Sequence, residues 1–167
     1  MEPTYVRAYV DAVKTLVLIR HSKAEPLGED DHARSLSPRG QSDATAVNRW
    51  LKEERIVPDR VVVSTARRTR ETWALAGVVP PVYDERVYEA SVRDLRTVIA
   101  ETEPSLETLV LVGHNPSIQD LAWQLDESPA ARDIVNRGLP TSAVVVVDVL
   151  DWELTWTAVR KVATPRG

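Results

Sequence analysis

Three short, unbroken apolar runs constrain the fold of this chain more than any other feature. They are residues 15–20 (TLVLIR), 60–64 (RVVVS) and 109–113 (LVLVG). Runs of this length, with no polar alternation, suit strands covered on both faces, as in a parallel sheet between helical layers. Two further β-rich runs, 142–149 (SAVVVVDV) and 153–159 (ELTWTAV), flank a Leu-Asp-Trp link and predict a late hairpin. Helical patterns fill the intervals. Ser37 reads as an N-cap before Pro38, followed by Ala44, Val47 and Leu51 at helical spacing. Ala66, Thr69, Trp73 and Ala76 line a second helix that Gly77 stops, and Val92, Leu95, Val98 and Ile99 mark a third. Asn115-Pro116 opens a fourth, with Ile118, Leu121, Ala122 and Leu125 as its apolar stripe. Alternating strands and helices predict a three-layer α/β/α sandwich with a mostly parallel central sheet and a late antiparallel hairpin. Segments 26–36 and 77–91 read as the longest loops.

At 167 residues one domain is expected, here 15–167 behind an N-terminal leader of residues 1–14. A net charge of −4 speaks against a surface devoted to nucleic acid. The absence of cysteine excludes disulfides, thiolate catalysis and Cys-ligated metal. His21, His32 and His114 are the only histidines, and no two stand at metal-ligand spacing, so neither a metal site nor a cofactor is expected. Apolar runs such as 142–150 are too short to cross a bilayer, which takes about 20 residues. With no secretory pattern at the N-terminus, the expected location is the cytoplasm, without membrane association.

Ligands in open α/β sheets bind beyond the carboxyl ends of the strands. That rule selects Arg20-His21 after the first strand, Ser64 with Arg67, Arg68 and Arg70 after the second, and Gly113-His114 after the third. Arginine forks beside helix starts suit a phosphate dianion. A histidine among them can attack phosphorus and later leave it. Each element also has a plainer reading. Arg20-His21 alone is an ordinary solvated strand end, and the arginine run is an exposed helix face partly neutralised by Glu71. His114 alone is a loop residue before a helix. Their concurrence at three strand ends favours an anion site, in either an enzyme or a binding module.

These motifs resemble the histidine phosphatase superfamily. The resemblance rests on L-I-R-H-S with Arg20 and His21, on Ser64…Arg68…Thr72, and on V-G-H-N-P with His114. It spans about residues 15–160. The commonest family form has glycine after the first histidine, where this chain has Ser22. The short length and the segment 33–40 (ARSLSPRG) resemble the SixA-like phosphohistidine phosphatase branch. Leu27 stands where the larger phosphoglycerate mutases carry asparagine, which puts mutase activity in doubt.

The resemblance implies a metal-independent phosphatase in which His21 attacks phosphorus to give a phosphohistidine enzyme that water hydrolyses. Arg20, Arg68 and His114 would hold the equatorial oxygens, His114 donating from its protonated state. Glu89 is the expected general acid, with Glu85 and Asp84 as rivals, and a SixA-like enzyme can lack this residue. Arg34 is a candidate contact at the rim, and His32 is read as part of a solvated turn in the acidic loop. The implied partner is a phosphorylated substrate, either a protein phosphohistidine or a small phosphate ester. The alternatives are a small-molecule phosphomonoesterase and a non-catalytic phosphate-binding module.

Overall fold

Side chains alternate across the central strands and feed two separate apolar cores, which fixes a three-layer arrangement. The computed structural model describes residues 13–26, 28 and 30–167. Most of the expected leader, residues 1–12, and Leu27 lie outside the described residues. Six strands, β1 Lys14–Arg20, β2 Arg60–Ser64, β3 Val82–Asp84, β4 Thr108–Gly113, β5 Val144–Val149 and β6 Thr157–Ala163, form one sheet in the order β3-β2-β4-β1-β5-β6. The first four in that order run parallel. β5 is antiparallel to β1, and β6 to β5.

Among the described residues, five α-helices cover the faces: α1 Pro38–Glu53, α2 Arg67–Ala76, α3 Val92–Ala100, α4 Ser117–Gln124 and α5 Pro129–Asn136. On one side Leu16 and Leu18 of β1 pack with Leu95 and Ile99 of α3, Ile118 and Leu121 of α4, and Val135 of α5. On the other, Val17 and Ile19 pack with Val47 and Leu51 of α1 and Trp73 of α2. Adjacent residues of one strand thus serve opposite cores, which is why the run had to be apolar throughout.

The sheet, the hairpin and the four expected helices are all present, with three departures. Segment 77–91 is not a plain loop: it contains β3 and a 3₁₀ turn, Glu85–Val87. α5 has no counterpart in the expected elements. Its start nevertheless carries the expected signals, since Ser128 caps the Ala131 N–H and Pro129 occupies the first turn. β6 begins at Thr157 rather than near 153 because Asp151 folds the link into a turn, accepting from the backbone N–H of Thr155 and from its hydroxyl.

Register places the site. Arg20 of β1 pairs with Gly113 of β4, and the His21 N–H continues the ladder to the Gly113 carbonyl at 3.0 Å. His21 and His114 therefore leave neighbouring parallel strands at one level, at the carboxyl edge. The chain after His21 is pinned to the start of α1. Ser37 donates through both its N–H and its hydroxyl to the Lys23 carbonyl, at 2.9 and 3.1 Å. A Cβ at Gly40 would lie 2.0 Å from that same oxygen, so only glycine permits the approach.

Candidate active site

His21 is 9% exposed, and its Nδ1 lies 2.7 Å from the Ser22 carbonyl oxygen. A carbonyl only accepts, so Nδ1 carries the hydrogen and Nε2 keeps its lone pair. Burial lowers the pKa of this imidazole to about 4, the nearby charges of Arg68, Arg20 and Arg34 acting in the same direction and the Ser22 carbonyl against it. The ring is neutral and nucleophilic at physiological pH.

The His114 ring centroid is 5.3 Å from that of His21, with the planes inclined by 55°. Burial, then His21 and Arg68, lower its pKa to about 3. The free site thus holds two neutral imidazoles. Ser64 Oγ accepts from the Ala66 N–H at 3.3 Å and lies 2.8 Å from His114 Nε2. A serine hydroxyl has one hydrogen and two lone pairs, so Ser64 can hold Nε2 in either tautomer. Nδ1 is a buried atom with no partner among the described residues.

Of the three arginines near the start of α2, Arg67 and Arg70 are exposed, and Arg67 pairs with Glu71 at 2.7 Å. Arg68 alone turns inward, 7% exposed. It donates through Nη1 to the Asp31 carbonyl at 2.9 Å and through Nη2 to the Asp31 carboxylate at 3.2 Å. Arg20 donates through Nη1 to the Leu139 carbonyl at 2.8 Å. The Nε atoms of both arginines are buried and have no partner among the described residues.

A cavity of about 360 Å³ opens onto Arg68 and His114 and is walled by Asp31, Tyr88, Glu89, Asn115 and Ser117 among others. Glu89 therefore stands at the mouth of the site, exposed, with a φ of 54°. Its rivals stand elsewhere: neither lines this cavity, and Asp84 is tied to Arg86 at 2.7 Å. Arg34 lies behind the rim, donating to the Glu25 carbonyl and to Asp31. His32 is half-buried rather than free in a solvated turn. Its ring meets Tyr88 edge-on at 4.8 Å, and its Nε2 is 3.0 Å from Thr65 Oγ1.

Three residues that the sequence did not single out, with Thr72 of the second motif, complete the arrangement. Asp31 accepts from Arg68, from Arg34 and from the Tyr88 hydroxyl at 2.7 Å. The Tyr88 bond, then the two arginines, lower its pKa to about 2. Tyr88 in turn is pushed up to about 12 by that bond and remains a phenol. Thr72 accepts from the Ser22 N–H at 3.0 Å while donating to the Arg68 carbonyl at 2.7 Å, so it ties the first and second motifs together. Ser142, at a φ of 68°, donates its N–H to the His21 carbonyl at 3.1 Å.

The sequence model of the histidine phosphatase superfamily (branch 1) matches residues 16–130. An uncharacterized protein of Mycobacterium tuberculosis (strain H37Rv) is 35% identical over 137 residues, which cover 78% of this chain and 87% of that protein. Among solved structures, the Putative Phosphohistidine Phosphatase SixA from Nakamurella multipartitia superposes with a TM-score of 0.84 at 30% identity, covering 92% of this chain and 96% of its own. The protein histidine phosphatase SixA complexed with tungstate shares the fold at a TM-score of 0.77 and 20% identity, covering 90% and 97%. The strand-end motifs, the parallel register that joins them and these likenesses agree, and the chain belongs to the histidine phosphatase superfamily, as a SixA-like phosphatase.

Proposed function

We propose that this protein is a cytoplasmic protein-phosphohistidine phosphatase that works through a phosphohistidine of its own, without metal, cofactor, membrane or nucleic acid. The observation that carries the reading is a trio of buried, unpaired nitrogens, Arg20 Nε, Arg68 Nε and His114 Nδ1, supplied by the residues that flank His21. Buried polar atoms left unpaired each cost about 1–3 kcal/mol, a cost removed when phosphoryl oxygens engage them. Phosphoryl oxygens held there would face His21 Nε2.

The balance of the two steps supports the assignment. In the first, the His21 Nε2 lone pair forms a bond to phosphorus while the P–N bond of the substrate breaks, its electron pair going to the departing imidazole nitrogen. A substrate ring protonated at its other nitrogen leaves as neutral imidazole and needs no acid from the enzyme. His21 becomes an N-phosphoimidazolium, its positive charge facing the Ser22 carbonyl through Nδ1–H. In the second step a water oxygen bonds to phosphorus, the P–Nε2 bond breaks, and neutral His21, phosphate and a proton result. Arg20, Arg68 and His114 stabilise the equatorial oxygens in both steps. Glu89 stands on the leaving-group side.

The test is trapping with a ³²P-phosphohistidine protein. An acid-labile, base-stable label should map to His21 and vanish in His21→Ala. A panel including p-nitrophenyl phosphate and metabolite phosphates then ranks substrates by kcat/KM. A preference of about 100-fold, or about 2.7 kcal/mol of transition-state binding, names the class. A best substrate among metabolite esters would establish the small-molecule phosphomonoesterase instead. Binding without turnover would leave the phosphate-binding module.

A further inference from the structure

The walls of the site carry charges that the phosphoryl group does not use. Asp31 and Glu89 both line the cavity that reaches Arg68 and His114, Asp31 half-buried and Glu89 exposed. Asp31 is fixed from three directions, by Arg68, Arg34 and the Tyr88 hydroxyl. No hydrogen bond engages the Glu89 carboxylate among the described residues, and its backbone is held at a φ of 54° beside Tyr88.

We propose that Asp31 and Glu89 act as a leaving-group filter, so that the site selects N-phosphoryl groups on a positively charged nitrogen over phosphate esters. The inference rests on the phosphohistidine phosphatase reading above and assigns the residues that set its preference. Charge matching is the argument. Arg20, Arg34 and Arg68 against Asp31 and Glu89 leave the site with one positive charge while both imidazoles are neutral. A phosphoryl dianion overshoots that by one. A leaving group bearing one positive charge, such as a phosphoimidazolium ring, restores neutrality. An ester develops negative charge on its departing oxygen, next to two carboxylates, and gains nothing from them. The Tyr88 ring, 5.6 Å from His114 between centroids, adds an aromatic neighbour for a cationic ring. In this role the carboxylates act by their charge, and no proton passes from either.

The experiment compares kcat/KM for N-phosphorylated imidazole and for p-nitrophenyl phosphate in the wild type, Glu89→Gln and Asp31→Asn. Using the ratio of the two substrates cancels their intrinsic reactivities, and it also cancels any misplacement of Arg68 in Asp31→Asn. Glu89 is exposed, so its variant leaves the core undisturbed. The ratio should fall about tenfold in each variant, with the loss on the phosphoimidazole side, and high salt should weaken the wild-type preference. A preference for phosphoimidazole that neither variant alters overturns the filter and leaves the phosphohistidine reading standing. A ratio that rises in Glu89→Gln, because ester hydrolysis suffers more, makes Glu89 a proton donor and also overturns it. A wild type that hydrolyses only the ester overturns both readings.

Discussion

Ser22 and Ser142 lie 120 residues apart in sequence, yet their hydroxyl oxygens are 2.6 Å apart and both residues are fully buried. The pair closes a ring of contacts behind the nucleophile. Ser142 also donates its N–H to the His21 carbonyl, and the Ser22 N–H reaches Thr72. Removing either hydroxyl leaves the other buried without its partner. Ser22→Ala should therefore cost about 1–3 kcal/mol. The Ser22→Ala/Ser142→Ala double variant should lose less than the sum of the two single losses. Urea unfolding of the four proteins measures this, and strictly additive losses would refute the coupling.

The arginine series separates the inward residue from its neighbours. Arg68→Ala should lower kcat/KM by about 100–1,000-fold, as expected for a preorganised donor to a transferring group. Arg68→Lys should rescue little, because an ammonium cannot span both the Asp31 carbonyl and carboxylate while serving phosphate. Arg67→Ala and Arg70→Ala should stay within a few-fold of wild type, the exposed Arg67–Glu71 pair being worth less than about 1 kcal/mol. Equal losses at all three positions would indicate a diffuse basic patch.

Acid should destabilise the fold through the two site histidines. Their folded pKa values, about 4 and about 3, lie below the ordinary 6.5. Between these limits the unfolded chain binds more protons, so stability rises with pH there. The contribution is complete above about pH 6.5 and is lost as pH falls toward 4 and then 3. Asp31, held at about 2 against 3.8, adds a further loss only below its ordinary value. Tm measured from pH 7 to 4 should fall, and His21→Asn should flatten the slope. NMR titration should show His21 neutral at pH 6, with its hydrogen on Nδ1. A His21 midpoint near 6.5 would contradict the burial argument.

Positive charge at the site comes from arginine, and among the described residues no group of three or more His, Asp or Glu could hold a metal ion. Activity should accordingly survive exhaustive chelation. Vanadate, as a five-coordinate phosphorus mimic, should compete with substrate. Activity abolished by EDTA and restored by magnesium would refute this.

The residues at the strand ends were legible because a parallel sheet gathers its carboxyl termini on one edge. Arg20, His21 and His114 leave strand ends there, and Arg68 was separated from Arg67 and Arg70 by the family motif that this segment resembles. Asp31 was not legible: it belongs to an acidic run, Glu29-Asp30-Asp31, that reads as solvated, and only the fold brings Arg68 and Tyr88 to it. Tyr88 comes from an irregular segment with no periodicity, and Ser142, read as the start of a strand, lies in the turn before β5, which begins at Val144. β3 was missed because Val82 and Tyr83 are exposed and the strand has only three residues, leaving no apolar run to detect. α5, by contrast, announced itself in Ser128-Pro129, and its eight residues were simply too few for a convincing stripe.

The register of β1 against β4 has a consequence for how the site opens. The nucleophile and its partner histidine are extensions of two paired central strands, joined by the His21 N–H to Gly113 bond, rather than tips of loops. Separating them means unzipping the middle of the sheet, where both cores meet. Amide exchange at His21 and at the residues of β1 should therefore report global unfolding, whereas the walls contributed by the Asp31 turn and Glu89 can exchange through local fluctuations. The catalytic edge is as durable as the protein itself, and substrate preference can drift through wall residues without loosening the chemistry behind them.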